Sequence, residues 1–213
     1  MRIVFSNGMK SFSSPAIFID RDGVVNCRRP NDYVLEWSQF MFMPGIREAL
    51  RELSTLQLPM IMISNQAAVG KGLLTSSALE EITARMNQTL LTDGVSLVAV
   101  YYCTHTPDEH CTCRKPQPEL LFRASDDFAI DLARSIFIGD SDTDIQAARL
   151  AGCQPVLFGP GLNSCSDSLD WMKELPVART AKELLQVAAR ALESTKSAPH
   201  RLIKPPRLGS GMS

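Results

Sequence analysis

An α/β fold, built on a mostly parallel sheet with helices on both faces, is predicted by three features of the sequence. Short apolar runs with β-branched character alternate with amphipathic helical patterns, at intervals of roughly 25–40 residues. Three of those runs end in polar residues: Asp20-Arg21-Asp22-Gly23, Ser64-Asn65-Gln66 and Gly139-Asp140. The length of 213 residues suits one domain or a core with a small insert, and 45% hydrophobic residues suffice to fill its interior.

Ala16–Asp20 (AIFID) reads as a buried strand ending in an acid. Asn31–Met43 is mixed and aromatic and predicts an irregular segment, closed by Pro44-Gly45. The helix that follows carries Ile46, Leu50, Leu53 and Leu56 as its apolar stripe. Pro59–Ser64 (PMIMIS) is the next strand, and Gln66–Thr75, with Gly70 and Gly72, a loop. Ser77–Leu91 is helical, with Leu79, Ile82, Met86 and Leu90 on one face. Val95–Tyr102 returns to strand pattern, and Thr104–Pro118 predicts a constrained loop. Glu119–Phe128 is a helix, Ser135–Ile138 a strand, Asp142–Ala151 a helix stopped by Gly152, and Pro155–Phe158 a strand. The last helix is Thr180–Leu192. Residues 15–192 thus form the domain, and residues 1–14 an extension, either an added strand or loose. A disordered tail is expected over 193–213, where Ser, Pro, Arg and Gly accumulate.

Lys and Arg total 22 and Asp and Glu 23, a formal net charge of −1. This balance argues against a nucleic-acid or anionic-membrane surface. No stretch approaches the apolar length of a membrane span. The opening MRIVFSNGMKSFSSP lacks the sustained apolar region and cleavage site of a secretory leader, so the cytoplasm is the expected location. In that reducing compartment Cys27, Cys103, Cys111, Cys113, Cys153 and Cys165 point to metal binding, catalysis or burial. A dinucleotide fingerprint is absent, and Ala68–Gly72 (AVGKG) is not a Walker A loop.

Ligands of open α/β sheets bind outside the carboxyl ends of the strands. The three polar strand ends therefore converge, and Arg114-Lys115-Pro116 closes the same site. Asp20 suits a nucleophile and Asp22 a proton carrier. Two neighbouring carboxylates call for a hard cation, and Mg²⁺ among Asp20, Asp22 and Asp140 answers that need. Lys115 and the metal would balance a phosphoryl group in transfer, with Ser64 and Asn65 donating to its oxygens. Asp142 is placed to cap the following helix. Asp144 is either an acid of its first turn or an outer-shell partner of the metal.

Cys103-x-His105 and Cys111-x-Cys113 form a second constellation. Three thiolates and one imidazole suit tetrahedral Zn²⁺ in a structural role, since no coordination position stays open. His110 competes with His105, but its adjacency to Cys111 makes joint ligation awkward. The knuckle at 103–113 precedes Arg114-Lys115 and would fix that loop. Cys27, Cys153 and Cys165 lack such grouping, and burial or incidental placement suits them.

Asp20-Arg21-Asp22-Gly23-Val24-Val25-Asn26, Ser64-Asn65-Gln66, Cys113-Arg114-Lys115-Pro116 and Gly139-Asp140 through Asp144 together resemble the motifs of the haloacid dehalogenase-like phosphatases. Asp32-Tyr33-Val34, Phe42, Met43-Pro44-Gly45 and the Cys-x-His…Cys-x-Cys loop resemble the branch of heptose bisphosphate and histidinol-phosphate phosphatases. The likeness spans Pro15–Leu192 and implies a Rossmann-like fold with no large cap domain. It implies an aspartyl-phosphate intermediate, with Asp20 attacking phosphorus and Asp22 protonating the leaving oxygen and then activating water. It also implies Mg²⁺ on the side chains of Asp20 and Asp140 and the main-chain carbonyl of Asp22. Arg28, Arg29, Lys71 and Arg114 become candidate contacts to a second phosphate or a polar substrate tail. Two departures touch the substrate and spare Asp20 and Asp22: Ser141 stands where a lysine is common, and Ala67-Ala68 where a serine-glycine pair is common. A heptose 1,7-bisphosphate is the expected substrate of a monomeric enzyme. Histidinol phosphate is the enzymatic alternative, and a zinc-stabilised, non-catalytic scaffold the other.

Overall fold

A computed structural model describes residues 1–5, 14–29, 33–159 and 175–196. Its strands are β1 (Arg2–Val4), β2 (Ile17–Ile19), β3 (Met60–Asn65), β4 (Leu97–Cys103), β5 (Ile136–Gly139), β6 (Gln154–Phe158) and β7 (Val177–Ala178). They form one sheet in the order β1-β4-β3-β2-β5-β6-β7. Every neighbouring pair is parallel except β1 with β4. The helices are α1 (Ile46–Ser54), α2 (Ala67–Gly70), α3 (Ser76–Thr92), α4 (Glu119–Phe128), α5 (Asp142–Ala151) and α6 (Ala181–Lys196).

The central strands are apolar throughout because both faces of the sheet are covered. Side chains alternate across the pleat. Ile17, Ile19, Met60, Met62 and Ile138 enter one core with α1, α3 and α6, while Phe18, Ile61, Ile63 and Phe137 enter the other with α4 and α5. Successive strands are laid outward from β2, first through β3 to β4 and then, on its other side, through β5 to β7. The chain thus changes its direction of travel beside β2, and the crevice of such a switch point opens at the carboxyl ends of β2 and β5.

Several boundaries differ from the sequence expectations. Residues 2–4 are an edge strand, and the Met1 ammonium and carbonyl both bond Tyr102, covering the open side of β4. Residues 6–13 lie outside the described residues. Gln66–Thr75 is not wholly loop: Ala67–Gly70 makes one helical turn whose Ala67 and Ala68 are buried. Leu56 falls beyond α1, in the turn after Ser54. The pair Val177–Ala178 was not anticipated, because two residues carry no periodicity. Residues 193–196, expected in the disordered tail, continue α6 through Lys196, with Thr195 buried. Residues 197–213 and Cys165 lie outside the described residues. No described helix is long and apolar enough to cross a membrane.

α6 closes one core, where Leu184, Ala188 and Ala191 are buried with Leu50 and Leu53 of α1. Leu184 is wholly inaccessible. Leu184→Ala is expected to cost about 2–5 kcal/mol of stability, read from urea unfolding followed by circular dichroism.

Candidate active site

The floor of the site is a buried ion triad. Asp20 follows β2, Lys115 arrives on the loop between β4 and α4, and Asp144 lies in the first turn of α5. Lys115 Nζ lies 2.7 Å from Asp20 Oδ1 and 2.6 Å from Asp144 Oδ1. It also donates to the Ile63 carbonyl at 3.0 Å. All three side chains are nearly inaccessible. Burial works against the Lys115 ammonium, but Asp144 and Asp20 overcome it and raise its proton affinity. Burial, reinforced by Asp144, Asp140 and Asp22 and opposed by Lys115, pushes Asp20 up to about 7.

Asp144 is fixed by its other oxygen. Oδ2 accepts from the main-chain N–H of Asp140 and Ser141 at 3.2 and 3.1 Å and from Ser141 Oγ at 2.5 Å. Ser141 is therefore the N-cap of α5, in place of Asp142, which occupies the first turn and accepts from Gln146. Asp144 is thus held by the Lys115 ion pair on one oxygen and by the cap of α5 on the other. Gly139 permits this approach, because a Cβ there would strike Asp144.

Asp22 sits beside Asp20 and accepts three hydrogen bonds. Arg21 and Asn26 donate to Oδ1 at 3.0 and 2.9 Å, and Gln66 Nε2 donates to Oδ2 at 2.6 Å. Burial raises its proton affinity, but the Arg21 guanidinium and these donors more than offset that and hold Asp22 below the ordinary carboxylate range. Arg21 is itself buried and turned towards Asp22. Arg21, Asn26 and Gln66 were quoted from the sequence only as parts of motifs. Their function as orienters is visible only once the chain is folded.

Asp140, at the end of β5, completes the acidic side. One carboxylate oxygen from each of Asp20, Asp140 and Asp144 lies within 4.8 Å of the others. Burial pushes Asp140 up to about 6, Arg28 opposing and Asp144 reinforcing the shift. Two crowded carboxylates with raised proton affinity, offering oxygen alone, fit a small hard dication. Gly23 (φ +97°) turns the chain against Asp140, and any Cβ there would overlap its carboxylate.

Cys103, His105, Cys111 and Cys113 come together as their spacing predicts. Cys103 Sγ and Cys111 Sγ are 3.6 Å apart, as are Cys111 and Cys113. His105 Nδ1 lies 3.6 Å from Cys103 Sγ and 3.2 Å from Cys113 Sγ. A tetrahedron with Zn–S of about 2.3 Å and Zn–N of about 2.0 Å has edges of roughly 3.8 and 3.5 Å. The donor set and its size therefore fit zinc. Burial pushes the Cys103 thiol up to about 12, a cost that a bound cation would offset in the thiolate form. His110 is outside this group, in a left-handed turn. Cys153 is buried, and Cys27 half-buried.

Above the floor opens a cavity of about 880 Å³. Arg28, Arg29, Lys71 and Arg114 all line it, so the structure gathers the four predicted cations at one rim. Lys71 lies over the Tyr33 ring at 5.5 Å, Arg114 donates to the His105 carbonyl, and Arg28 reaches Asp140. Ser64 also lines the cavity and accepts from Gln66. Asn65 lines the cavity too, and it also holds the main chain of Lys115. One N–H of its Nδ2 donates to the Lys115 carbonyl at 3.1 Å, and its Oδ1 accepts from the Lys115 N–H at 3.0 Å. The second N–H of Nδ2 is not used by these bonds.

Residues 112–186 match the family model described as HAD-hydrolase-like. The D-glycero-beta-D-manno-heptose-1,7-bisphosphate 7-phosphatase of Helicobacter pylori strain J99 is 38% identical over 136 residues, covering 63% of this chain and 77% of the relative. The protein of that name from Escherichia coli K12 is 38% identical over 146 residues, covering 65% and 75%. Among solved structures, D,D-heptose 1,7-bisphosphate phosphatase from B. bronchiseptica, complexed with magnesium and phosphate, is 30% identical with a TM-score of 0.72. That match covers 86% of this chain and 99% of the other.

Removing Lys115 leaves two carboxylates buried without their counter-charge. Lys115→Met is expected to cost about 3–5 kcal/mol in denaturant unfolding, and adding Asp144→Asn to recover part of the loss.

Proposed function

The chain belongs to the haloacid dehalogenase-like phosphatases, and from that premise we propose that it removes the 7-phosphate of D-glycero-D-manno-heptose 1,7-bisphosphate. The observation that carries the chemistry is Asp20 fixed on one oxygen by Lys115, beside an Asp22 oriented by three donors. In this reading the oxygen of Asp20 not bound to Lys115 attacks phosphorus. The P–O bond to the sugar breaks in line, and Asp22 gives its proton to the departing oxygen. Resting Asp22 is held ionised, so it must first gain that proton. The negative charge of the arriving phosphate raises its proton affinity. Asp22, left ionised, then takes a proton from water as the water attacks the aspartyl-phosphate, which frees phosphate and restores Asp20. Lys115 neutralises phosphoryl oxygens throughout.

Mg²⁺, once bound, would supply positive charge to the transferring phosphoryl group. Its holders in this reading are the carboxylates of Asp20 and Asp140 and the main-chain carbonyl of Asp22. Zn²⁺ at Cys103, His105, Cys111 and Cys113 is structural and fixes the loop that delivers Lys115. Support for a bisphosphate comes from the four rim cations, more than one phosphate needs, and from the names of the relatives. A monomer acting on a small phosphorylated sugar in the cytoplasm completes the reading. Residues 15–196 would make up the working domain.

Three outcomes are expected. Mg²⁺-dependent hydrolysis of p-nitrophenyl phosphate disappears in Asp20→Asn and falls about 10²–10⁴-fold in Asp22→Asn. The heptose 1,7-bisphosphate gives the higher kcat/KM against histidinol phosphate in a phosphate-release assay, and the reverse order overturns the substrate. Metal analysis of protein purified without chelator finds about one Zn²⁺ per chain, lost in Cys111→Ser.

A further inference from the structure

Arg28 makes two contacts at the acidic end of the cavity. Its Nη2 lies 2.7 Å from Asp140 Oδ1 and 3.4 Å from the main-chain carbonyl of Asp22. Those are two of the three oxygens assigned above to the divalent cation. One guanidinium nitrogen thus bridges the oxygens that a dication would bridge. An Mg²⁺ ion needs such oxygens at about 2.0–2.1 Å. Two positive charges on one pair of oxygens repel strongly in this half-buried setting. Arg28 has the freedom to yield, because its side chain is about half exposed, at 54%, while Asp140 is at 15%. Lys115, by contrast, is locked on both its acids.

We infer that Arg28 is a tethered counter-ion of the cation site, competing with the divalent ion for Asp140 Oδ1 and the Asp22 carbonyl and leaving them when the ion binds. This rests on the cation reading of the previous section. The device has a physical use. Asp20, Asp140 and Asp144 converge, and Lys115 answers only Asp20 and Asp144. Arg28 supplies the remaining positive charge to Asp140 until a better partner arrives. Its exchange also tethers cation binding to a rearrangement of the cavity rim. By linkage, whatever holds Arg28 away from Asp140 tightens cation binding by the same factor.

The test is direct cation affinity rather than turnover. Mn²⁺ binding to the intact chain is titrated by electron paramagnetic resonance, in wild type, Arg28→Gln, Arg28→Lys, Asp140→Asn and the remote charge control Arg85→Gln. Arg28→Gln is expected to bind Mn²⁺ about fivefold tighter, the loss of a competing surface-type pair. Arg28→Lys and Arg85→Gln are expected to stay near wild type. Thermal unfolding gives a second readout, because Mg²⁺ should raise the Tm of Arg28→Gln by more than that of wild type. Equal or weaker Mn²⁺ binding in Arg28→Gln, with binding lost in Asp140→Asn, overturns the inference alone. Equal binding in Asp140→Asn and wild type overturns the cation reading and the inference with it.

Discussion

One buried ammonium sets the terms for the rest of the structure. Lys115 neutralises Asp20 and Asp144 where water is excluded, and it closes on the Ile63 carbonyl. Charges in such a place are tolerable only when each is answered. The three partners come from the end of β2, the loop before α4 and the first turn of α5. The site therefore forms only when the parallel pair β2–β5 is in register and α5 is capped by Ser141. Fold and chemistry share a single electrostatic condition.

Delivering Lys115 falls to a segment with little regular structure, so it is anchored on both sides. The Cys103-His105-Cys111-Cys113 group gathers the chain just before it. At Lys115 itself, Asn65 pairs with both main-chain polar groups. The rim is built differently. Arg28 is half exposed, and Lys71 leans on the face of Tyr33. A rigid floor beneath adaptable cations suits an enzyme whose chemistry is fixed and whose bound anion reaches outward.

Much of this was legible in the sequence. Glu119–Phe128 and Asp142–Ala151 match their expected bounds, because Pro118 and Gly152 punctuate strong apolar patterns. The strand ends announced themselves through acids and amides next to apolar runs. Less visible were contacts that depend on rotamers and on chain crossings. The grip of Asn65 on the main chain of Lys115 was hidden, because residue type does not say where a side chain points. Asp142 looked like a cap because Ser141 and Asp142 are both good caps, and only the backbone chooses between them. The contact of Arg28 with Asp140 was hidden as well, since nothing in the local sequence places Asp140 within its reach. Edge strands as short as β1 and β7 are fixed by pairing partners, not by their own pattern.

Gly23 bears on how such an enzyme can change over generations. Its backbone conformation disfavours side chains, and the Asp140 carboxylate fills the space a Cβ would need. Every codon one nucleotide away from a glycine codon that still encodes an amino acid other than glycine adds that atom, so no neutral path leads off this position. Arg28, Arg29 and Lys71 line the cavity without such a backbone constraint. Substitution is thereby sterically closed at the turn beside Asp140 and sterically open along the rim.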